Sequence, residues 1–562
     1  MEKKQVIISL VIIGIISIFL KLYFIDFSTY IVSDTTSYAL NAFSYINNDF
    51  TPIQNKSPGW PIIISVFFQF IDSDNFIEYG NVVRILSISI STITILPVYL
   101  VARRLFPEKY SLIAASLFAF EPHLNYNAGL GYSEPLYIIF WIIAFYFISG
   151  NKFKFVCLAF VFAGLIWWIR WPGAIMVLIL SIIYFVNFRQ IKNSYLKYLG
   201  CLGIFVAIVV PMLLQRYEEF GNPLHYGITS QFFIGDYSLL QSNIINKLGI
   251  EYTAFDSIRD NGIFHFLNTF IVTGLLNLFT IFIKNSFPYL IILFPLGMIL
   301  SIKGLIQTRK IINANWILIL IVLSSMTISF SIVPDKRFLY NLIPFLILFS
   351  VIPIQRLIEN GVEVFYFSKK QKNTCLIIIV FVILLLSIWF MQRYDVEKEV
   401  EFQEKIYFAE HMLNDFEGSM LDAGNTAQGI RYLKLNDPPG SFKTYLNSNH
   451  NNPTDTILKE GYLVPFASND KLILVAINAR TLDQFMVISE EYQINYVAIR
   501  EEGVTDKLYP YLSEIYHNES DYQFFEKIFD SNLEGYEEFK VKVFEINFEK
   551  YRSLHPFNLK GK

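Results

Sequence analysis

Three cysteines in 562 residues are too few for a disulfide framework. Cys157, Cys201 and Cys375 lie inside or at the edge of apolar runs, at spacings that match no zinc ligand set, and they read as small buried hydrophobes. Charge is scarce as well. Asp, Glu, Lys and Arg make up 17% of the chain, against about 25% in a soluble domain. The formal net charge is -3, so there is no basic field to hold nucleic acid. No internal repeat of fixed period is present. No small-x-small cleavage site follows the first apolar run, Val6 to Phe24. That run is also too long for the core of a signal peptide, and it reads as a retained helix.

Apolar residues are abundant instead, at 54%, with 54 Phe and 34 Tyr. That excludes disorder and points to an integral membrane protein. Runs near ~20 residues, the length of a membrane helix, recur to residue 391. The expected spans are Val6–Phe24, Val82–Ala102, Ser111–Phe120, Tyr132–Ser149, Phe153–Ile169, Pro172–Phe188, Tyr198–Leu214, Phe287–Ile302, Trp316–Val333, Phe338–Pro353 and Cys375–Met391. This makes about eleven transmembrane helices. Basic clusters (Lys3 and Lys4, Arg103 to Lys109, Lys152 and Lys154, Arg189 to Lys197, Lys303 to Lys310, Lys369 to Lys372) fall in alternate loops. By the positive-inside rule the N-terminus is cytoplasmic and the C-terminus outside. To keep that alternation, the apolar stretch Phe264–Ile283 is assigned to an interfacial helix.

The expected organisation is a polytopic α-helical domain over 1–391, with long outer loops at 26–81 and 215–284, followed by an extracytoplasmic α/β domain over 392–562. After Gln392 charges become frequent, and the runs KLILVAI, NYVAI and VKVFEI alternate with helical stretches such as DKLYPYLSEIYH. The segment 435–455 is loop-rich. The N-x-S sequons at Asn55 and Asn518 fall on the expected outside.

Ionisable residues at the outer membrane boundary carry the chemical signal, because burying them there is costly. Asp34, in IVSDTTSYAL, opens an amphipathic stretch; it is placed for an N-cap, for a general base, or to help hold a divalent cation. Lys56 lies in QNKSPGWP, where Pro58 and Pro61 stiffen the backbone around a phosphate-binding ammonium. Glu134 starts a span in GYSEPLYIIF, where a carboxylate suits the helix dipole. Glu121 and His123, in FEPHLNYN, lie across the same short outer turn; for His123 by itself a structural role is the better fit. Arg170, in LIWWIRWPGAI, fits a snorkelling belt residue or an anion contact. Asp335, Lys336 and Arg337 form an outer turn in IVPDKRFLYNLIPFL, and an Arg there suits bidentate contact with a lipid phosphate. Carboxylates and cations at one surface fit transfer from a phosphate-linked donor, since cations lower the cost of the leaving phosphate's charge.

The order of these segments resembles the GT-C fold membrane glycosyltransferases, especially glycosyltransferase family 39. That group holds protein O-mannosyltransferases and aminoarabinose transferases. The resemblance runs from Met1 to Met391 through Asp34, KSPGWP, SEPLY, IRWPGAI, FGNPLHYG and RFLYNLIPFL. It implies inverting transfer of a hexose or pentose from a polyprenyl- or dolichyl-phosphate donor to a protein, lipid or glycan acceptor at the outer face. Carried over, Asp34 is the catalytic base, Lys56, Arg337 and Arg170 contact donor phosphate, Glu134 matches an acidic site residue, and Phe220 to Gly227 form a loop over the donor or acceptor. From their place in the outer turns, Glu121, His123 and Asp335 are further site residues. The acid that many relatives carry beside the first Asp or the loop lysine is absent, since Thr35 and Asn55 stand there. Oligosaccharyltransferases share the architecture, but their WWDYG signature and paired acidic motifs are missing, so metal dependence stays open. The alternative is a polytopic transporter or flippase of envelope glycolipids, for which polar or broken helices near the midplane are expected. A cell-envelope setting in a prokaryotic plasma membrane fits these features.

Overall fold

The computed structural model describes residues 3–23, 25–29, 31, 33–52, 56–150, 152–225, 232–233, 235, 252–304, 309–361, 366–392, 397–423, 433, 463–468, 471–477, 479, 481–501 and 509–555. Asn55, Tyr226, Gly227 and the expected loop 435–455 lie outside them. The chain divides into two compact units. One is built from residues 1–72, 77–229 and 255–394, the other chiefly from 395–562.

The first unit is helical. In chain order its helices are α1 (Lys3–Tyr23), α2 (Ser33–Ile46), α3 (Gly59–Phe68), α4 (Phe76–Ala102), α5 (Glu108–Ala119), α6 (Pro122–Gly129), α7 (Glu134–Ile148), α8 (Phe153–Ile169), α9 (Trp171–Phe188), α10 (Ser194–Phe220), α11 (Ile263–Ser286), α12 (Leu290–Gly304), α13 (Arg309–Ile332), α14 (Lys336–Asn360) and α15 (Lys369–Met391). Among the described residues, α1, α4, α9, α10, α11, α13, α14 and α15 are long and apolar enough to cross a bilayer. Their packing shows why. α1 buries Val6, Ile13, Ser17 and Leu20 along one stripe, while Ile7, Val11, Ile12, Ile15 and Phe19 stay exposed. A helix that is apolar on its exposed face has lipid as its solvent. The chain is a multi-pass membrane protein.

α2 is a short amphipathic helix and α3 a short apolar one. Phe43 of α2 packs on Phe68 of α3 at 4.9 Å and on Tyr79 of α4 at 4.7 Å. Two glycines let these elements close on the rest. A Cβ at Gly59 would sit 2.8 Å from the Trp168 carbonyl oxygen. Gly131 has φ +76°, a region that disfavours side chains, and its carbonyl accepts from Trp60 Nε1 at 3.2 Å. Thr35 Oγ1 donates to the neighbouring Leu130 carbonyl at 2.9 Å. The start of α2 is thereby tied to the turn that leads into α7.

α11 departs from the expected interfacial helix. A Cβ at Gly274 would lie 2.1 Å from the Thr327 carbonyl oxygen. Asn277 Nδ2 donates to Phe330 O at 3.0 Å, and Asn285 Nδ2 to Lys336 O at 2.8 Å. Gly274 and Asn277 meet Thr327 and Phe330 in step, and Asn285 meets Lys336 just past the end of α13, so α11 runs alongside α13 in the same direction. Loop charges weigh only crossings between basic segments. The position of α11 is set instead by a glycine that lets two backbones touch.

The second unit holds a six-stranded sheet. Its strands are β1 (Gly418–Asp422), β2 (Leu463–Ser468), β3 (Leu472–Ile477), β4 (Ile494–Arg500), β5 (Phe525–Asp530) and β6 (Val541–Ile546), in the order β2-β3-β1-β4-β6-β5. β1 is parallel to β3 and β4, and the remaining pairs are antiparallel. α16 (Glu397–Asp415), α17 (Leu482–Glu491), α18 (Pro510–His517) and α19 (Phe548–Leu554) accompany the sheet. Phe408 and Met412 share one core with Met420 and Val543, while Phe485 and Leu512 share another with Leu421 and Phe544. Buried strand residues therefore supply two apolar layers. Asn518, at the end of α18, is exposed.

Candidate active site

Asp34 lies in the first turn of α2, where a carboxylate suits the helix dipole. Its two oxygens face two different cations. Oδ1 accepts from Lys56 Nζ, in the loop before α3. Oδ2 accepts from Arg337 Nη1 at 2.9 Å, across 303 residues of sequence. Burial by itself raises the pKa of this carboxyl, but Lys56 and Arg337 outweigh it and hold the group well below the ordinary carboxylate range.

Arg337 is aimed by its own turn. Asp335 caps the 3₁₀ segment Lys336–Leu342, accepting from the Arg337 amide at 2.8 Å and from its Nε at 2.8 Å. The guanidinium then lies 4.7 Å from the centre of the Tyr132 ring. An Asp two residues before an Arg thus fixes a fork that would otherwise sample many rotamers.

A second ion pair lies beside the first. Glu134, at the start of α7, accepts from Arg170 Nη1, and both side chains are largely buried. Arg170 ends α8 in extended backbone, between the rings of Tyr137 and Phe338, 5.8 Å from each. Glu134 Oε2 is buried with no hydrogen-bond partner among the described residues. Tyr38, one turn beyond Asp34, feels Asp34, Arg170 and Glu134 together. Burial first, and the Asp34 charge next, push its hydroxyl up to about 12. Tyr38 therefore stays a neutral hydroxyl between the two pairs.

Six of the expected residues thus come together: Asp34, Lys56, Arg337, Asp335, Glu134 and Arg170. Glu121 and His123 group around Lys336 instead. Glu121 caps α6, accepting from the Leu124 amide at 2.7 Å, and burial pushes its carboxyl up to about 8. Burial likewise pushes His123 down to about 3, with Lys336 acting in the same direction, and its ring packs on Phe390 at 5.2 Å. Both are neutral at neutral pH. Glu121 has the N-cap role that its FEPH context allows.

Sequence reading missed Arg216. It sits in α10, is 1% exposed, and lines a cavity together with Lys56. A charged residue in QRYEEF near the end of an apolar run carries no sequence signal of burial. Its burial comes from Trp171 and Phe220, whose ring centres lie 5.0 and 5.6 Å from the guanidinium. His225 O accepts from its Nε at 3.0 Å, so the FGNPLH stretch folds onto this arginine.

A divalent ion held by a protein needs free oxygen ligands, usually including at least one carboxylate oxygen. Here both Asp34 oxygens and Glu134 Oε1 face cations. Among the described residues no three His, Cys, Asp or Glu side chains form a metal-binding group. The donor set around Asp34 does not fit a divalent ion.

Residues 55–214 match the family model described as dolichyl-phosphate-mannose-protein mannosyltransferase, a stretch that holds Lys56, Glu134 and Arg170. No curated protein matches the sequence. Among solved structures, the apo oligosaccharyltransferase of Archaeoglobus fulgidus aligns with a TM-score of 0.57 at 13% identity, over 89% of this chain and 70% of that one. AglB of the same archaeon, in complex with an inhibitory peptide and a dolichol-phosphate, aligns with a TM-score of 0.55 at 12% identity, over 94% and 73%. ArnT of Cupriavidus metallidurans, bound to undecaprenyl phosphate, aligns over 97% and 98% at 9% identity with a TM-score of 0.48. At these identities the likeness to AglB is one of fold. The expected GT-C architecture, a helical membrane domain with a C-terminal sheet domain, is borne out. So is the resemblance to GT-C membrane glycosyltransferases, through the matched segment and the fold.

Proposed function

We propose that this chain is a glycosyltransferase that moves a sugar from a polyprenyl- or dolichyl-phosphate donor to an acceptor hydroxyl or amine at the outer face of a plasma membrane. One observation carries the reading: a single carboxylate, Asp34, held between Lys56 and Arg337 from distant parts of the chain. The matched segment supports the transferase class, and the bound dolichol-phosphate in AglB supports the donor class. In this reading the N-terminus is cytoplasmic, and the loop at 26–81 and the domain from 392 onward are outside.

The chemistry follows from charge placement. The acceptor attacks the anomeric carbon from the side opposite the phosphate, which inverts the centre. Asp34 takes the acceptor proton as the new bond forms. The glycosyl–oxygen bond breaks, and the electron pair leaves with the lipid phosphate. Lys56 and Arg337 offset that developing charge, with Arg170 as a further cation near Glu134. Glu134 Oε2, buried and without a partner, suits a hydroxyl of the sugar or the acceptor.

The test is transfer by purified protein. Labelled undecaprenyl- and dolichyl-phosphate hexoses and pentoses are offered with a membrane extract, with and without EDTA, beside Asp34→Asn. Label should reach an acceptor with wild type, survive EDTA, and be lost in the variant. Movement of the glycolipid across sealed vesicles without any glycoside product would make the chain a flippase instead.

A further inference from the structure

A base must have an oxygen to offer, and neither oxygen of Asp34 is open. Oδ1 holds Lys56 and Oδ2 holds Arg337. An acceptor hydroxyl that comes to Oδ2 has to displace Arg337. A largely buried guanidinium is not simply set loose, because an unpaired charge there is costly. It needs another carboxylate oxygen, and the site holds one. Glu134 is 2% exposed. Its Oε1 faces Arg170, and its Oε2 is buried with no hydrogen-bond partner among the described residues.

Arg337 is hinged for such a move. Asp335 grips its backbone amide and its Nε, each at 2.8 Å, and its Nη2 at 2.6 Å. The remaining nitrogen, Nη1, is the prong that reaches Asp34. Arg337 feels the charge of Glu134 together with those of Asp335 and Asp34. Arg170, the partner of Glu134, in turn feels Arg337, and its guanidinium lies 5.8 Å from the ring of Phe338, the next residue in the chain. Tyr132, against which Arg337 packs, feels both Asp34 and Glu134. Arg337 thus stands among three carboxylates, and the idle oxygen belongs to Glu134. Moving Nη1 from Asp34 to Glu134 exchanges one charge-assisted hydrogen bond for another. It also gives a donor to a buried oxygen that is destabilising while unpaired.

We infer that Glu134 Oε2 is a second seat for Arg337: the arginine pivots on Asp335, Nη1 passes from Asp34 to Glu134, and Asp34 Oδ2 is left for the acceptor hydroxyl. Glu134 is then a positioning residue that acts on the base through Arg337. The identity of the visiting hydroxyl rests on the transferase reading; the exchange of seats does not. Because the cation is retained, it stays beside the site to offset the leaving phosphate. Asp34 meanwhile keeps Lys56 and loses Arg337, so its affinity for a proton rises as the acceptor arrives. A sugar hydroxyl on Oε2 would compete with the arginine for the same oxygen.

The reactivity of Arg337 toward phenylglyoxal, followed by peptide mass spectrometry on the full-length protein in nanodiscs, reads the two seats without substrate. Either seat by itself should shield the guanidinium. Asp34→Asn and Glu134→Gln should therefore each change the rate by less than about twofold, and the double variant should raise it about tenfold or more, as expected when charge-assisted hydrogen bonds are lost. Arg84, buried in the same unit, reports folding, because it should stay unreactive in every folded variant. A tenfold rise in Asp34→Asn alone, or in Glu134→Gln alone, overturns the second seat, and so does a folded double variant that reacts like wild type. In the transfer assay, Glu134→Gln should raise the half-saturating amount of the membrane-extract acceptor about tenfold and leave that of the donor within about twofold. A rise confined to the donor assigns Oε2 to a sugar hydroxyl, and equal rises reduce Glu134 to a support of the fold; either overturns the positioning role. Absence of transfer from every lipid-phosphate sugar overturns the transferase reading, and the arginine rates still decide the second seat.

Discussion

Each of the two units holds a carboxylate between two cations. In the membrane unit Asp34 sits between Lys56 and Arg337. In the sheet unit Glu401 sits between Lys405 and Arg500. The local electrostatics agree in sign. Burial would raise both carboxyls, and the paired cations pull both below the ordinary range. The settings differ. Lys405 lies one turn along α16 from Glu401, and Arg500 ends β4, with Phe539 5.5 Å from both cations. That arrangement ties a helix to its sheet. Asp34 draws its partners from a proline-stiffened loop and from a turn 303 residues away, and one of them borders a cavity. A cation-bracketed carboxylate is therefore not itself a mark of chemistry. The mark is that its partners come from distant parts of the chain and that one of them borders a pocket.

Acid alone will not separate the two brackets. In each, the folded carboxyl has the lower pKa. Its contribution is full above about pH 5 and is lost as the pH falls through the depressed folded value. Activity separates them by the largest margin. Asp34→Asn should lower transfer by about 10²–10⁴-fold, the range for a general base. Glu401→Gln should leave turnover per folded molecule within about twofold. Equal losses would erase the distinction.

Stability comes next. Arg170→Met leaves Glu134 buried without its partner, which costs about 3–5 kcal/mol. The double variant with Glu134→Gln should recover most of that in a thermal melt of the detergent-solubilised protein. A single variant as stable as wild type would show that water already reaches the pair.

In the sheet unit, Glu404 accepts from the amides of Glu537, Glu538 and Phe539 at 2.6, 2.9 and 2.7 Å. Glu404→Ala should cost about 1–3 kcal/mol and speed hydrogen exchange at those three amides, with transfer unchanged. Unaltered exchange would remove Glu404 from the fold's supports.

The smallest effect concerns two thiols. Cys157 of α8 and Cys201 of α10 lie 3.5 Å apart. The seam is tight because a Cβ at Gly164 would come within 2.7 Å of Ile208. A membrane-permeant disulfide should oxidise them to each other and leave Cys375 free, with little change in turnover. Only mixed disulfides in peptide mass spectra would show that the helices do not approach so closely.

Much of the fold was legible. Apolar runs mark most spans because lipid requires a continuous apolar surface and helices satisfy their own backbone. KLILVAI, NYVAI and VKVFEI became β3, β4 and β6. GSMLD and FEKIFD, which form β1 and β5, are too short and polar to stand out. α11 escaped because its place depends on Gly274 meeting a carbonyl of α13, a contact with no periodic signal. Of the site, Asp34, Lys56, Glu134, Arg170, Asp335 and Arg337 were legible as charges at span ends. Glu121 and His123 looked the same in sequence, yet they group around Lys336.

What the sequence by itself determined is the medium, the helical class and the inventory of boundary charges, since each follows from composition along a short window. What only the tertiary structure decided is which charges meet. Pairing acts over a few ångströms and falls off steeply, so Arg337 can complete Asp34 only once the folded helical unit has set the turn at 335–337 beside α2. The same holds for Arg216, a boundary arginine in sequence and a buried cation at a cavity once Trp171 and Phe220 close over it.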